Sequence, residues 1–510
     1  MARYLFTDSE WNFKLINKVW EAIDTIAKKE FNLDYYKPQI EIVSAQQMLE
    51  VMSTHGLPIM YDHWSFGKTF LKNKTAYQKG EINLAYELII NTNPTIAYLM
   101  ENNSMTMQTM VLCHAVCGHG GFFKNNYSFK KWTQADTIIS YLKYARKFIK
   151  ECEVKYGNEN VSYLLDAAHA LQLNGIDKYE RSYKNTDMLI RKEEMREEVY
   201  SENYDAVYNS VFGNKRVEPE EWSQIDTSWE RGYPEENLLY FIEKKSPILE
   251  PWQREVLRIV RIIAQYFYPQ RQTKLMNEGY ASFIHYELMT RLYDKKLITD
   301  GSYLEFLHSH SSVVSQSSPY FIDRFGNVRE NPYYSGVNPY SLGYAMFRDI
   351  KRMCIEPTEE DLKWFPDICN TNWHETIDSV MKNYRDESFV LQFLSPKVIR
   401  DFKFMELRTK SDKYIVDATH GDEYIKQIRS SLASQYDLIA SLPEINVEKV
   451  DWFGDRSLHL THTVRNGVLL HYNNAKETME YIYNLWGFPS EIRYVDGNGN
   501  EIEDVKSKEE

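Results

Sequence analysis

The stretch "CHAVCGHGGFFKNN", residues 113–126, holds two cysteines and two histidines within seven positions. His114 and His119 are five apart. On an ideal α-helix that spacing turns through about 500° and leaves the two rings roughly 140° apart. The pair can share a metal ion only where the backbone departs from a regular helix, and Gly118 is the residue that would permit it. The spacing differs from the His-Glu-x-x-His zinc helix, and Ala115 stands where that motif carries its catalytic glutamate. Cys113 and Cys117 are four apart, a poor disulfide geometry within one helix. They are open to soft-metal ligation or to burial as small apolar side chains.

Three more segments carry candidate chemistry. "LLDAAHAL" places Asp166 and His169 at i,i+3 on one helix face, the spacing of a Glu-x-x-His half-site in di-iron bundles. The same spacing lets a carboxylate orient an imidazole from behind. "NEGYASFIHYE" aligns Glu278 and His285 on one face but about 10.5 Å apart along the axis, so one could bind metal while the other acts on substrate. Gly279 weakens that helix by roughly 1 kcal/mol relative to alanine, which points to close approach of another helix and to a Glu278 that faces the interior. "YDHWSFGK" supplies His63, Trp64 and Lys68 to an aromatic-lined substrate cleft or to a packed loop, and lacks the spacing of a phosphate loop. His459, His462 and His471 read as ordinary surface or interface histidines.

Helices must position most of these residues. Thr7 and Glu10 have capping-box spacing ahead of the stripe Leu15, Val19, Ile23 and Ile26. Thr95 to about Gly118 reads as helical, as do 133–156 and 159–175. Trp252, Val256, Ile259, Ile263 and Tyr266 trace one stripe that Pro269 should end, and a further helix is expected from Thr273 to Leu292. The charge run at 178–202 reads as a solvated helix, a linker or a partner-docking segment. Beyond about residue 385, "KYIVDAT", "SLHLTHTV" and "GVLLHY" look like strands, and "NAKETMEYIYNLWGFP" like a helix closed by Gly487 and Pro489. The expected architecture is predominantly α: a multi-helix body over 1–385 and a smaller α+β domain over 386–510.

Totals bound the function. The 510 residues are 43% hydrophobic and 14% aromatic, enough for a large core. A formal charge of −13 argues against non-specific nucleic-acid binding, although a local basic groove could hide inside an acidic total. Neither a secretory signal nor an 18-residue apolar run is visible, and five cysteines fit a reduced compartment. The expectation is a cytoplasmic protein with no membrane span.

Over nearly its whole length the chain resembles the SpoVR family, the stage V sporulation protein R group. The segments that carry the likeness include "GLPIMYDHWSFGK", "NPTIAYLMENNSMTMQTMVLCHAVCGHGGFFKNN", "LLDAAHAL", "PWQREVLRIVRIIAQYFYPQRQTKLMNEGYASFIHY", "NPYSLGYAMFRDIKR" and "RDESFVLQFLSPKVIRDFK". The resemblance implies a role in building the spore cortex, a peptidoglycan layer, or in stress physiology of bacteria that make no spores. It also implies a PrkA-type serine kinase and a von Willebrand-like protein as partners. The family's histidine segment falls on His114 and His119, its helical pair on Asp166 and His169, and its N-E-G segment on Asn277, Glu278 and Gly279. Cys117 stands where an aromatic is common in the family, and Tyr280 where tryptophan is usual. "NEGYASFIHYE" also resembles the Glu-Gly-x-Ala helix of gluzincin zinc peptidases, whose glutamate is the third metal ligand.

Together these resemblances imply a metal-dependent hydrolase of an amide or peptide bond in peptidoglycan or its precursors. His114, His119 and Glu278 would hold zinc, iron or manganese, with His169, His285 or Asp166 as the base that Ala115 cannot supply. The other readings are a non-catalytic regulator acting with the kinase and a di-metal oxidase-like protein using Asp166, His169 and Glu278.

Overall fold

The fold is described from a computed structural model. It covers residues 4–82, 86–179, 235–404 except 325 and 327, 407–410, 413–416, 421–437 and 442–502 except 453, 466 and 468. The charge run at 178–202 falls almost wholly outside the described residues. The chain forms two compact units, one of Met1–Leu165 with Ile262–Leu442, the other of Asp166–Arg261 with Pro443–Glu510.

In the first unit, helix α1 (Phe13–Glu30) buries Val19, Ile23 and Ile26. Its cap is Asn12, whose side chain accepts from Leu15 N–H, so the helix starts later than the Thr7/Glu10 spacing suggests. A three-stranded sheet follows in the order β1-β3-β2. β1 (Pro38–Val43) runs parallel to β3 (Thr95–Met100), and β2 (Glu87–Ile90) runs antiparallel to β3 with Glu87 opposite Leu99. Between β1 and β2 lies the surface helix α2 (Trp64–Gln78). The expectation of a helix from Thr95 is corrected here. "TIAYLM" is a central strand with its side chains mostly buried on both faces, and a short continuous apolar run of that kind has no period to tell it from helix.

Helix α3 (Met105–Leu112), capped by Ser104, leads without a break into a π-helical segment, Cys113–His119. Helices α4 (Ile138–Tyr156) and α5 (Asn158–Leu171) come next. After α6 (Leu238–Lys245), α7 (Pro251–Gln272) continues past Pro269. The proline deletes one backbone bond within the last turn, a loss too close to the end to stop the helix where the sequence suggests. Thr273 Oγ1 bonds back to the Pro269 carbonyl at 2.7 Å.

Helix α8 (Lys274–Asp294) is the axle of the first unit, buried along most of its length. Leu275, Met276, Phe283, Ile284 and Met289 share one core with Val116, Leu342, Met346 and Phe347. Helices α9 (Asp300–Val313), α10 (Pro339–Ile355) and α11 (Asp386–Phe393) complete the surroundings of the site.

The second unit contains a sheet of order β6-β5-β4, from β4 (Glu444–Val450), β5 (Leu458–Thr463) and β6 (Ser490–Val495). Its helix α12 (Tyr472–Trp486) ends at Gly487, which takes the left-handed conformation (φ 84°). Within this unit Trp486 stacks on Phe241 at 5.7 Å. "GVLLHY" is not a strand in its described residues, and its last residue, Tyr472, opens α12. The body is mainly helical and the C-terminal region a small α+β arrangement, as the sequence pattern predicts.

Candidate metal centre

The π-helical segment solves the spacing problem of His114 and His119. An i→i+5 ladder brings residues five apart over one another, where an α-helix separates them. Gly120 N–H accordingly bonds to the Ala115 carbonyl. The two imidazole centroids lie 4.6 Å apart, with the rings nearly perpendicular.

Glycine does contribute here, through packing. Gly118 does not take the left-handed conformation, but a Cβ on it would stand 2.6 Å from Ala281 Cα on α8. Two residues before Ala281, on the other side of α8, a Cβ on Gly279 would overlap the backbone of Gly343 on α10. Helix α8 is thus clasped between the π segment and α10 by small residues, and Glu278 is delivered to the two histidines. The close helix approach that Gly279 suggests is the approach of α10.

Glu278 Oε2 lies 3.4 Å from His119 Nε2 and 3.9 Å from His114 Nε2. A second carboxylate faces the same point. Glu87, the first residue of β2, has Oε1 3.3 Å from His114 Nε2. One ligand atom each from Glu87, His114 and His119 fall within 4.8 Å of one another, and among the described residues these three form the group able to hold a metal ion. Glu87 Oε2 and Glu278 Oε2 are buried and meet no hydrogen-bond partner. Orphaned carboxylate oxygens beside two imidazoles are costly unless a cation joins them. The donor set of two nitrogens and carboxylate oxygens suits zinc and also iron or manganese.

The imidazoles are oriented from behind. For both Nε2 atoms to offer lone pairs, each Nδ1 must carry the proton. His119 Nδ1 then donates to Asn277 Oδ1 at 2.9 Å. His114 Nδ1 donates to His285 Nδ1 at 2.8 Å, and His285 Nε2 donates to His310 Nδ1 at 2.7 Å. One metal-facing requirement therefore sets three tautomers in a row.

Burial alone would raise the Glu278 carboxyl, but His119 and His114 hold it well below the usual carboxylate range. Burial pushes the Glu87 carboxyl up, against the pull of the same histidines. Burial, then the neighbouring His114, holds His285 well below the ordinary imidazole value and His310 down to about 4, so both stay neutral.

Tyr340, near the start of α10, completes the site. Its phenol hydrogen-bonds the Glu278 carboxylate, and its ring lies parallel to His114 at 6.5 Å. Burial and the adjacent carboxylate raise its pKa, which keeps the hydroxyl a donor.

The structure brings together His114, His119, Glu278 and His285 of the residues singled out from sequence. Asp166 and His169 sit on α5 in the second unit, and the ligand group of the first unit is built without them. His63 caps α2 and accepts from Ser65 N–H, while Trp64 and Lys68 stand on the exposed side of that helix. Cys113 and Cys117 are buried free thiols raised by burial, outside the ligand group. Glu87, Tyr340 and His310 escaped sequence reasoning. Only Glu87 left a trace, a lone charge leading the apolar run "ELII".

The SpoVR like protein family matches residues 10–441, and the SpoVR-like C-terminal domain matches 443–497. The chain belongs to the SpoVR family. It is also 45% identical over 493 residues to "Uncharacterized protein YcgB" of Escherichia coli (strain K12), covering 96% of this chain and 94% of that protein. No solved structure matches it.

Proposed function

We propose that this SpoVR-family chain is a metal-dependent hydrolase of an amide or peptide bond. The observation that carries the reading is the convergence on one buried point of two imidazole nitrogens and two carboxylates, each carboxylate with one oxygen that meets no hydrogen-bond partner. His114, His119 and Glu278 would hold the ion, as in the ligand set of gluzincin peptidases. A divalent metal bound there would polarise a carbonyl and lower the pKa of a water molecule.

The remaining steps belong to the chain itself. Glu87 faces the same point from the opposite element, and its raised pKa suits it to accept a proton from water and pass it to the departing amine. His285 has both nitrogens engaged in the histidine chain, which leaves the base role to Glu87. Tyr340 can donate to an oxygen that gains negative charge.

The outer position of β2 favours a peptide substrate. Met100 N–H bonds to the Tyr86 carbonyl, so the antiparallel register turns the backbone N–H and C=O of Glu87 and Ile89 away from β3. An extended peptide could pair there. Peptidoglycan peptides or their precursors, met in the cytoplasm, are the substrate that family membership favours, with the PrkA-type kinase and von Willebrand-like protein as regulators.

The test is metal content and release of amino groups from peptide substrates, for protein purified without chelator. His114→Ala, His119→Ala and Glu278→Ala should lose stoichiometric metal with the fold intact by circular dichroism. Glu87→Gln should keep metal and lose turnover by about 100-fold or more. A metal-free, fully folded parent sinks the proposal.

A further inference from the structure

Helix α2 has no buried residue among its fifteen. Most such surface helices keep one face in the core and the other charged. Here Trp64 is 56% exposed, Leu71 63% and Tyr77 38%. Trp64, Lys68, Leu71, Lys72 and Thr75 recur at helical spacing along one exposed face. From His63 to Gly80 the sequence contains Lys68, Lys72, Lys74 and Lys79 and no acidic residue, within a chain of formal charge −13. The Lys68 ammonium lies 5.6 Å from the centre of the Trp64 ring.

The basic character continues next door. Asp62, just before the helix, is 4.0 Å from Arg146 on α4, and the exposed side of α4 adds Lys143, Tyr144 and Lys147. Lys147 has a partial partner in Glu151 at 3.8 Å. Two neighbouring helices of the first unit thus present lysines and exposed aromatic rings to solvent.

We propose that α2 docks the protein on an anionic lipid surface. The lysines meet the phosphates, Trp64 lies at headgroup level, and Leu71 enters the acyl boundary. The exposed apolar area of α2 is three scattered side chains, too little to anchor a partner through packing alone, and the charge within the helix is of one sign. Such a face asks for charge and an interface rather than a shaped pocket. No described helix is long and apolar enough to cross a membrane, so the association is peripheral.

The test is co-sedimentation of the full chain with phosphatidylglycerol/phosphatidylcholine vesicles and with phosphatidylcholine vesicles. The anionic vesicles should bind and the neutral ones should not, with affinity falling as salt rises. Lys68→Glu with Lys72→Glu should weaken binding roughly 30-fold or more, and Leu71→Ala should weaken it several-fold. All these side chains are exposed, so melting temperature should not move, and Lys68→Gln with Lys72→Gln serves if the charge reversal disturbs folding. Absence of binding to anionic vesicles, or binding that the substitutions leave unchanged, overturns the proposal. So does equally tight, competing binding of soluble polyglutamate, which would assign the face to an acidic polypeptide. Metal content and peptide hydrolysis should be unaffected throughout.

Discussion

His285 contributes to the site without facing it. It accepts from His114 and donates to His310, so a neutral imidazole occupies the place behind a ligand that a carboxylate or backbone carbonyl usually takes. Such a partner fixes the ring while adding no negative charge, and among the described residues Glu87 and Glu278 supply the negative charge at the candidate ion. Replacing His285 with alanine should lower metal affinity by roughly 10- to 100-fold. Competition against a chromophoric chelator measures it, and an affinity equal to the parent's would remove the histidine chain from the account. Of these residues, His114 and His285 could be singled out by type and placement on helices. His310 could not, because nothing in "LEFLHSHSSV" distinguishes a histidine bonded to another histidine from one facing solvent.

At the level of elements, the decisive feature is the clasp on α8. Gly118 against Ala281 and Gly279 against Gly343 set how closely three segments approach. Gly118→Ala must push α8 away from the π segment, at a cost of about 1–3 kcal/mol, and should lose metal in the same protein. Thermal melting and metal content read both, and a stable variant that retains metal would show that the clasp can give. The start of α8 is held from a distance: both carboxylate oxygens of Asp386 accept backbone N–H bonds, from Met276 and Leu275, at 2.8 Å. Burial raises this carboxyl from 3.8 to about 7. The folded state therefore binds a proton that the unfolded chain has released across that interval. The group's contribution to stability is complete below pH of about 4 and is lost as pH rises towards 7. Asp386→Asn should flatten that part of the stability profile in urea unfolding, and an unchanged slope would remove Asp386 as its source. Gly279 signalled the crowding from sequence alone. The π geometry was legible only as a requirement, that the backbone be irregular if the two histidines were to meet.

For the molecule as a whole, the candidate ion would link elements drawn from far apart in the chain, the π segment and α8, with Glu87 of β2 facing it. An ion bound to the folded state alone stabilises it by mass action, about 2.7 kcal/mol at a hundredfold excess over Kd. Zinc should therefore raise the melting temperature of the parent by several degrees and leave His114→Ala unmoved. Equal shifts in both would place binding elsewhere.

The sequence by itself determined the mainly helical body, the long helix carrying Glu278, the closure of α12 at Gly487 and the pairing in kind of His114 with His119. These follow from local rules of apolar period, capping and glycine conformation, which act within a few turns. Tertiary structure alone decided that Thr95–Met100 is a strand, that Glu87 and Tyr340 join the site and that Asp166 and His169 belong to another unit. The reason is physical. A six-residue strand that is apolar on both faces has no period to show, and separation along the chain carries no distance between groups that meet only through packing.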